Sequence, residues 1–464
     1  MYQPGIPNRV LSTFFAPSVQ ISTLEALSSG PTKGKLLPDD VLADIVHAEV
    51  TRVCSGASQY SITLNNWYTS TAVDRASQGA AGSANPSTSQ LSSGRQPRWP
   101  RFKYNDFGLL YFGQRLRLDM RYWPDVPSDA QLSTPARQAQ SWVPMVCGPV
   151  TDMRFQFSTG GGAQLTVSGE DDLSALKDHY KERKEFPSVP ERQIVREVLR
   201  LARYPLADIA KPLVAWPPFA DDGGDPIVES INGGQSYLEF LQKMADRFDF
   251  EIFIEFAKLT NTNSPLELHV EPSRSRVPPN RSAGDVFVLQ RDRNLIEFSP
   301  TIRVVDQPSE VTVTGRHRDR NNPSRVAGTA DPLQLLHDEL HPDDSNGPPQ
   351  KLTSGPLVRA RYFPNRTDNP FPFQNETNID PQRAQAMAEA KLRRKAREFF
   401  TIEGTTLGLP RLRPGNHVQI TGMRPPFDGF FYVTKTVHSY GADGLRTKFS
   451  ARRPGMPLPP YGEI

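Results

Sequence analysis

Two histidines four residues apart, His337 and His341, form the pattern in this sequence that most resembles a metal site. On a helix such a pair lies on one face, and the zinc-protease pattern adds a glutamate directly after the first histidine. Here Asp338 holds that position, Glu339 comes one residue later, and Pro342 ends any helix. No third ligand follows, so we interpret the segment as a short surface helix in a long loop and assign no metal.

Two other segments fall short of ligand-binding loops. The run from Gly30 to Lys35 is one residue shorter than a phosphate-binding loop, and Leu36 stands where serine or threonine is needed. Asp221, Asp222 and Asp225 lack the spacing and the terminal glutamate of a calcium loop. We expect a solvated turn there, with weak cation binding as the alternative, and we assign no cofactor.

Three consecutive carboxylates, Glu170, Asp171 and Asp172, lie where a predicted strand ends and a helix begins. Acidic residues are favoured at a helix N-terminus, and we interpret them in that way. The alternative is a glycan hydrolase, which needs two carboxylates converging from different segments. The sequence contains no G-x-S-x-G motif, no cysteine–histidine pair and no dinucleotide fingerprint, so its residue chemistry indicates no enzyme and no catalytic residue.

A basic run marks a predicted helix near the C-terminus, with Lys391, Arg393, Arg394, Lys395 and Arg397. Such a run usually forms a solvated face. Contact with an acidic partner is the alternative.

Composition excludes several classes of protein. The chain has 464 residues, a net charge of only +3 and 2 cysteines, Cys54 and Cys147. A nucleic-acid binder would concentrate basic charge on one face, and a disulfide framework would need more cysteines. We find no apolar run long enough to cross a bilayer and no signal peptide. The 44 prolines are nearly twice the usual share of roughly 5% and indicate many loops in a folded chain.

Alternating apolar residues predict a β-rich unit in the first third of the chain. Strands are expected at Val41–Val53, Tyr60–Trp67, Leu109–Tyr122 and Gln164–Ser168. Between Val143 and Phe157 we expect two separate strands, Met145–Val150 and Asp152–Phe157. A polar, low-complexity insertion interrupts the unit over 69–105, and the first 35 residues lack periodicity and are interpreted as an arm.

Helical patterns follow. Glu191–Tyr204 carries one apolar stripe, and Ser236–Phe248 opens on an S-x-x-E capping box formed by Ser236 and Glu239. With the alternating segments Glu251–Phe256 and Leu266–Val270, this region is predicted to be a mixed α/β unit.

Strands return after residue 284. They are predicted at Val286–Leu289, Leu295–Arg303, Glu310–Gly315, His417–Thr421, Phe430–Tyr440 and Leu445–Ala451, with a helix at Gln382–Phe399. A polar excursion fills 316–380. The predicted fold class is mainly β with an α+β insert, containing two β-barrels and a smaller α/β domain. The expected domains are an arm (1–35), a first barrel (36–170), an insert (171–283), a second barrel (284–453) and a proline-rich tail (454–464).

The C-terminal stretch resembles the hub proteins of contractile tails, a family that includes phage late-control D proteins and the N-terminal hub of type VI secretion spikes. The matching residues run from Gly404 to Pro410, Leu412 to Gly415, Val418 to Gly422, Phe427 to Thr434 and Arg446 to Phe449. Upstream matches include Gly234–Leu241, Phe112–Leu118 and Leu165–Asp171, in the family's order. Taken together, the resemblance spans about Val41 to Arg453.

The resemblance implies a mechanical role. In this family, three subunits with two tube-like barrels each form a ring that adapts the six-fold inner tube to a three-fold spike. It implies a homotrimer whose partners are the inner tube protein, a spike protein and baseplate wedge or adaptor proteins, assembled in the bacterial cytoplasm as part of a phage tail or injection particle. Few residues follow the last strand, so we expect the spike to be a separate protein reached by Pro454–Ile464. The alternative function is a tail-associated cell-wall hydrolase.

Overall fold

The structure is a computed structural model. It describes residues 18–24, 35–67, 102–121, 142–158, 162–178, 183–187, 189–201, 210–215, 228–258, 264–276, 286–317, 324–330, 336, 352–363, 370–377, 379 and 381–457. These residues are mainly β-strand with a minority of helix, which confirms the predicted fold class. No helix among them is long and apolar enough to span a membrane.

The first β unit is one antiparallel sheet in which apolar side chains alternate toward a single core. Its order is β3-β4-β7-β6-β5-β1-β2, and the helix α1 (Asp39–Ala43) carries the chain from the last strand back to the first. The strands are β1 (Ser18–Leu24), β2 (Lys35–Leu36), β3 (Ile45–Val53), β4 (Gln59–Asn65), β5 (Arg115–Arg121), β6 (Val143–Phe157) and β7 (Ala163–Glu170).

β6 is a single strand where the sequence predicts two. Its first half pairs with β5 and its second half with β7, and the register shifts between Val150 and Asp152. A β-bulge bends a strand and increases its twist. One continuous strand therefore pairs with β5 before the bulge and with β7 after it. The bulge also breaks the apolar alternation of the sequence, which is why the sequence suggests two strands.

The insert packs helices on small sheets. Its helices are α2 (Glu191–Leu201) and α3 (Tyr237–Arg247), and the predicted capping box of α3 is present, with Glu239 N bonding Ser236 Oγ at 3.1 Å. A 3-10 helix, Asp172–Lys177, replaces the predicted helix start. The strands are β8 (Lys184–Pro187), β9 (Ala210–Val214), β10 (Val228–Ile231), β11 (Phe250–Phe256) and β12 (Leu266–Pro272).

The second β unit has the order β14-β19-β22-β21-β20-β13. A short turn joins β13 directly to β14, and Arg291 and Leu295 form an isolated bridge within it. The strands are β13 (Val286–Gln290), β14 (Leu295–Ile302), β19 (Phe400–Leu407), β20 (His417–Thr421), β21 (Gly429–Gly441) and β22 (Gly444–Arg453).

The region between β14 and β19 contains more structure than a polar excursion. Between them lie β15 (Glu310–His317), β16 (Ser324–Ala330), β17 (Thr353–Ser354), α4 (Gly355–Tyr362), β18 (Pro370–Thr377) and α5 (Pro381–Arg397). β15, β16 and β18 form a separate sheet, and the buried residues Val311 and Val313 belong to the hydrophobic core of the insert. The prediction of a structureless loop over 316–380 was therefore wrong.

Three further predictions need correction. The predicted arm contains β1, whose buried Ile21 joins the core of the first unit. β19 was missed, because Gly404 and Thr406 interrupt its apolar alternation. The start of the predicted tail forms β23 (Gly455–Met456), which pairs with β17. The insertion from 69 to 101 and the tail from 458 lie outside the described residues, and the domain boundaries stay predictions.

Candidate assembly surface

One continuous sheet runs through both β units. β21 of the second unit pairs antiparallel with β3 of the first, from Lys435 opposite Val53 to Tyr440 opposite Ala48. This pairing joins eight strands in the order β14-β19-β22-β21-β3-β4-β7-β6. The hydrophobic cores of the two units lie on the same side of this sheet, so its opposite face carries neither core in the part of the chain that the structure describes.

The opposite face is polar across its whole width. Along the six inner strands, most residues that point away from the cores are half-buried or exposed, and most of their neighbours are buried. One row of directly opposed residues crosses seven strands and contains a single apolar side chain: Glu297, Thr405, Lys448, Val437, Thr51, Gln59 and Glu170. A wide surface of mixed charge with so few apolar side chains is unlike a hydrophobic packing interface.

The eight-stranded sheet ends in two edges. Among the described residues, the second half of β6 pairs only with β7, and β14 pairs with β19 apart from the single bridge at Leu295. An unpaired edge presents free backbone N–H and C=O groups and is a template for another strand. The two edges are therefore candidate contact sites.

A buried ionic cluster holds the insert against both units. Glu255 of β11 accepts from Arg413 at 2.7 Å and Arg274 at 3.1 Å, and it lies 3.7 Å from Arg52. Burial raises the pKa of Glu255, but Arg413, Arg274 and Arg52 together lower it below its ordinary value. Burial lowers the pKa of Arg52 to about 10. The carboxylate therefore stays ionised and links segments from three parts of the chain.

The second link is made by the predicted basic helix. Arg397 at the end of α5 is almost fully buried and donates to both carboxylate oxygens of Asp249 at 2.7 and 2.9 Å. Arg394 pairs with Asp246 at 2.9 Å on the surface. The solvated-face interpretation is therefore wrong for Arg397. The acidic groups that Arg397 and Arg394 contact lie at and just beyond the C-terminal end of α3 in the same chain, and contact with an acidic partner stays a prediction.

The three consecutive carboxylates each engage a neighbour in the structure. Glu170 bonds Lys177 at 2.5 and 2.7 Å, and Asp172 pairs with Arg115. Asp171 caps the 3-10 helix and accepts from the backbone N–H of Leu173 and of Ser58. Burial raises the pKa of Asp171 to about 7 and that of Asp172 to about 6, although Arg115 opposes the second shift. The interpretation as helix N-terminal residues is confirmed for Asp171.

The other predicted chemical motifs fall outside the described residues. His337, His341, the acidic turn 221–225 and most of the glycine run before Lys35 belong to this part of the chain. Among the residues that the structure does describe, no group of three or more histidine, cysteine, aspartate or glutamate side chains could hold a metal ion.

The order of a β unit, an α/β insert and a second β unit predicts a duplicated barrel, and the two units do share one strand plan. β6 and β21 are each bulged, and each carries a Val–Thr pair at the bulge, Val150–Thr151 and Val433–Thr434. The units match strand for strand, β3-β4-β7-β6-β5-β1 against β14-β19-β22-β21-β20-β13. The outermost pair differs, since β1 runs antiparallel to β5 and β13 runs parallel to β20. The predicted duplication is visible in the strand pairing and almost absent from the amino-acid sequence.

Comparisons with known proteins support the fold. No protein-family profile matches the chain, and no curated protein sequence matches it. The tail protein from Neisseria meningitidis MC58 superposes with a TM-score of 0.51 at 12% identity, covering 94% of this chain and 96% of that one. The fold is therefore that of a phage tail protein, as the resemblance in sequence implies.

Two further structures rank lower. A 43 kDa tail protein of prophage MuSo2 from Shewanella oneidensis gives a TM-score of 0.49 at 13% identity and covers 95% of this chain and 99% of that one. An E. coli component of the type VI secretion system, similar to the T4 bacteriophage tail proteins gp27 and gp5, gives 0.46 at 11% identity, with coverage of 96% and 77%.

Proposed function

We propose that this chain is the structural hub of a phage tail or contractile injection apparatus, a homotrimer that joins a six-fold inner tube to a three-fold spike. The observation that carries the proposal is the eight-stranded sheet built from two units with one strand order. Three such chains around an axis present six near-equivalent units, which is the number that a six-fold tube needs. The tail-protein fold supports the same place in a particle.

In the proposed ring, the polar face of the sheet lines the central channel and the two cores lie outward. The ring contacts the inner tube protein at one end and a separate spike protein at the other, with wedge or adaptor proteins at its periphery. Assembly takes place in the bacterial cytoplasm. The mixed charge of the polar face fits passage of hydrated cargo, because neither sign of charge dominates it.

Mass and shape measurements test this proposal. Light scattering of the purified chain is expected to give three times the monomer mass, and averaged electron micrographs should show a hollow ring with six lobes. A stable monomer at micromolar concentration that joins no particle would contradict the hub.

We further propose that the role is structural rather than catalytic. Support comes from the ion pairs of Glu170 with Lys177 and of Asp172 with Arg115, which engage both carboxylates with cations of the same chain. A cell-wall zymogram of the purified protein should show no clearing. Clearing that disappears in both Glu170→Gln and Asp172→Asn would identify the hydrolase instead.

A further inference from the structure

The strand pairing that joins the two units of one chain predicts how neighbouring copies of the chain pair. β21 of the second unit pairs with β3 of the first, and this contact joins the two units of one copy. The strand equivalent to β21 in the first unit is β6, and the strand equivalent to β3 in the second unit is β14. Those two strands are the free edges of the eight-stranded sheet among the described residues.

The equivalence of β6 and β21 is fixed residue by residue. In β21 the register against β22 shifts between Val433 and Lys435, and in β6 the register against β7 shifts between Val150 and Asp152. Asp152 therefore corresponds to Lys435. Each later residue of β6 follows in step, so that Phe155 corresponds to His438.

The equivalence of β3 and β14 is fixed in the same way. The register of β3 against β4 shifts between Ile45 and His47, and that of β14 against β19 shifts between Leu295 and Glu297. The residues inside these two bulges, Val46 and Ile296, are exposed to nearly the same extent, 46% and 45%.

We infer that β6 of one copy pairs antiparallel with β14 of the next copy, in the register of β21 and β3. This inference rests on the proposed hub and names the surface that closes it. Transfer of the internal register gives six opposed pairs: Asp152–Arg303, Met153–Ile302, Arg154–Thr301, Phe155–Pro300, Gln156–Ser299 and Phe157–Phe298.

The transferred pairs are chemically matched. Asp152 and Arg303 are both exposed and carry opposite charges, and opposite charges directly across a ladder are stabilising. On the other face, apolar residues meet apolar residues in all three pairs. Pro300 lacks an N–H but keeps its carbonyl, so it removes at most one hydrogen bond and is tolerated at this edge.

Residues at the internal junction are more buried than the equivalent residues at the two free edges. His438 and its partner Val50 are fully buried there. Their counterparts at the free edges, Phe155 and Pro300, are only half-buried, and Phe157 is 53% exposed. A neighbouring strand would cover these side chains as β3 covers those of β21, and apolar burial of this kind is favourable.

Closure by this pairing gives a definite geometry. Eight strands from each of three copies form one continuous ring, with neighbouring strands about 4.8 Å apart. Its backbone diameter is then at least about 37 Å, since strand tilt only widens a closed ring. Each copy contributes both edges, so the contact is head-to-tail and closes at three copies.

Cysteine cross-linking tests the register. Gln156→Cys with Ser299→Cys places two thiols on opposed residues, within the Cα separation that a disulfide accepts. The matched control, Gln156→Cys with Thr301→Cys, offsets the pair by two residues. Under mild oxidation we expect the first variant to yield a covalent trimer on non-reducing gels, with no larger species, and the control and both single variants to yield little.

The outcomes separate this inference from the hub proposal. A trimer by light scattering that cross-links in the control, or in neither double variant, overturns the strand pairing and leaves the hub standing. A chain that stays monomeric overturns both.

Charge reversal gives a second readout. Asp152→Arg should raise the protein concentration needed for half-assembly by about tenfold, because it opposes Arg303 with a like charge at each contact. Adding Arg303→Asp should restore assembly. If the double variant assembles no better than the single variant, the Asp152–Arg303 contact is wrong.

Discussion

The two β units share a strand plan and differ in what they bury. The first unit places two carboxylates of raised pKa, Asp171 and Asp172, where it meets the insert. The second buries His438 and His417, whose pKa values burial lowers to about 3 and about 4. Backbone pairing and bulge positions have thus been kept while the interior chemistry changed. The difference teaches that ladder geometry, rather than residue identity, defines the repeated unit.

The insert also meets the two units differently. It reaches the second unit through Arg397–Asp249 and Arg413–Glu255, both at 2.7 Å, and it reaches the first through Arg52–Glu255 at 3.7 Å. Within this ionic network the closer pairs are those to the second unit, whereas backbone hydrogen bonds such as Gly56 N–H to Ile252 O, at 2.8 Å, join the insert to the first.

The largest effect should come from breaking the ionic attachment to the second unit. Arg397→Met leaves the buried Asp249 paired with Arg276 but without Arg397, and removing one member of a buried pair costs about 3–5 kcal/mol. Arg52→Met is the matched control. Glu255 keeps Arg413 and Arg274, so we expect a loss below about 1 kcal/mol. Chemical denaturation measures both free energies of unfolding, and equal losses would show that the insert is held equally by the two units.

The opposite pKa shifts predict opposite responses to pH. Native His438 stays neutral down to about pH 3, whereas the unfolded chain takes up the proton below about 6.5. Its contribution to the free energy of unfolding is therefore lost as pH falls, by about 3 kcal/mol at pH 4. His438→Gln should flatten this decline in unfolding curves recorded from pH 7 to pH 4.

Asp171 should act in the other direction. The native state holds its proton up to about pH 7, and the unfolded chain releases it near 3.8. Its contribution is full below pH 3.8 and is lost as pH rises toward 7. Asp171→Asn should therefore steepen the overall loss of stability on acidification. Slopes that change in the same direction in both variants would contradict the contrast between the units.

A smaller effect is expected from exchanging one core pair. At equivalent ladder positions, Ile62 faces Val167 in the first unit, and Gly404 faces Phe449 in the second. A Cβ at Gly404 would collide with the Phe449 ring, so Gly404→Ile should cost about 1–3 kcal/mol. Adding Phe449→Val recreates the pair of the first unit and should recover part of the loss in thermal unfolding. A double variant less stable than Gly404→Ile would show that the two cores are not equivalent.

The sequence predicts those elements whose signals are local. Local signals worked well: alternation located β4, β20 and β22, and the capping box located α3. These features depend on residues close together in the chain.

Features that depend on distant partners were missed. β1 is stabilised by its ladder with β5, about a hundred residues away, and has little periodicity of its own. β19 alternates poorly because Phe449 fills the space above Gly404. The two edge strands, β6 and β14, carry no sequence motif, because their role as contact sites is inferred only from the pairing of β21 with β3.

The bulged strands have a mechanical consequence. β6 and β21 each run without interruption from the eight-stranded sheet into the outer part of their unit. A force applied to the eight-stranded sheet is therefore transmitted to the outer strands through covalent backbone. The hydrogen-bonded ladders bear part of that force as shear along the strands. β6 and β21 are therefore continuous covalent connections between the inner and outer strands of their units.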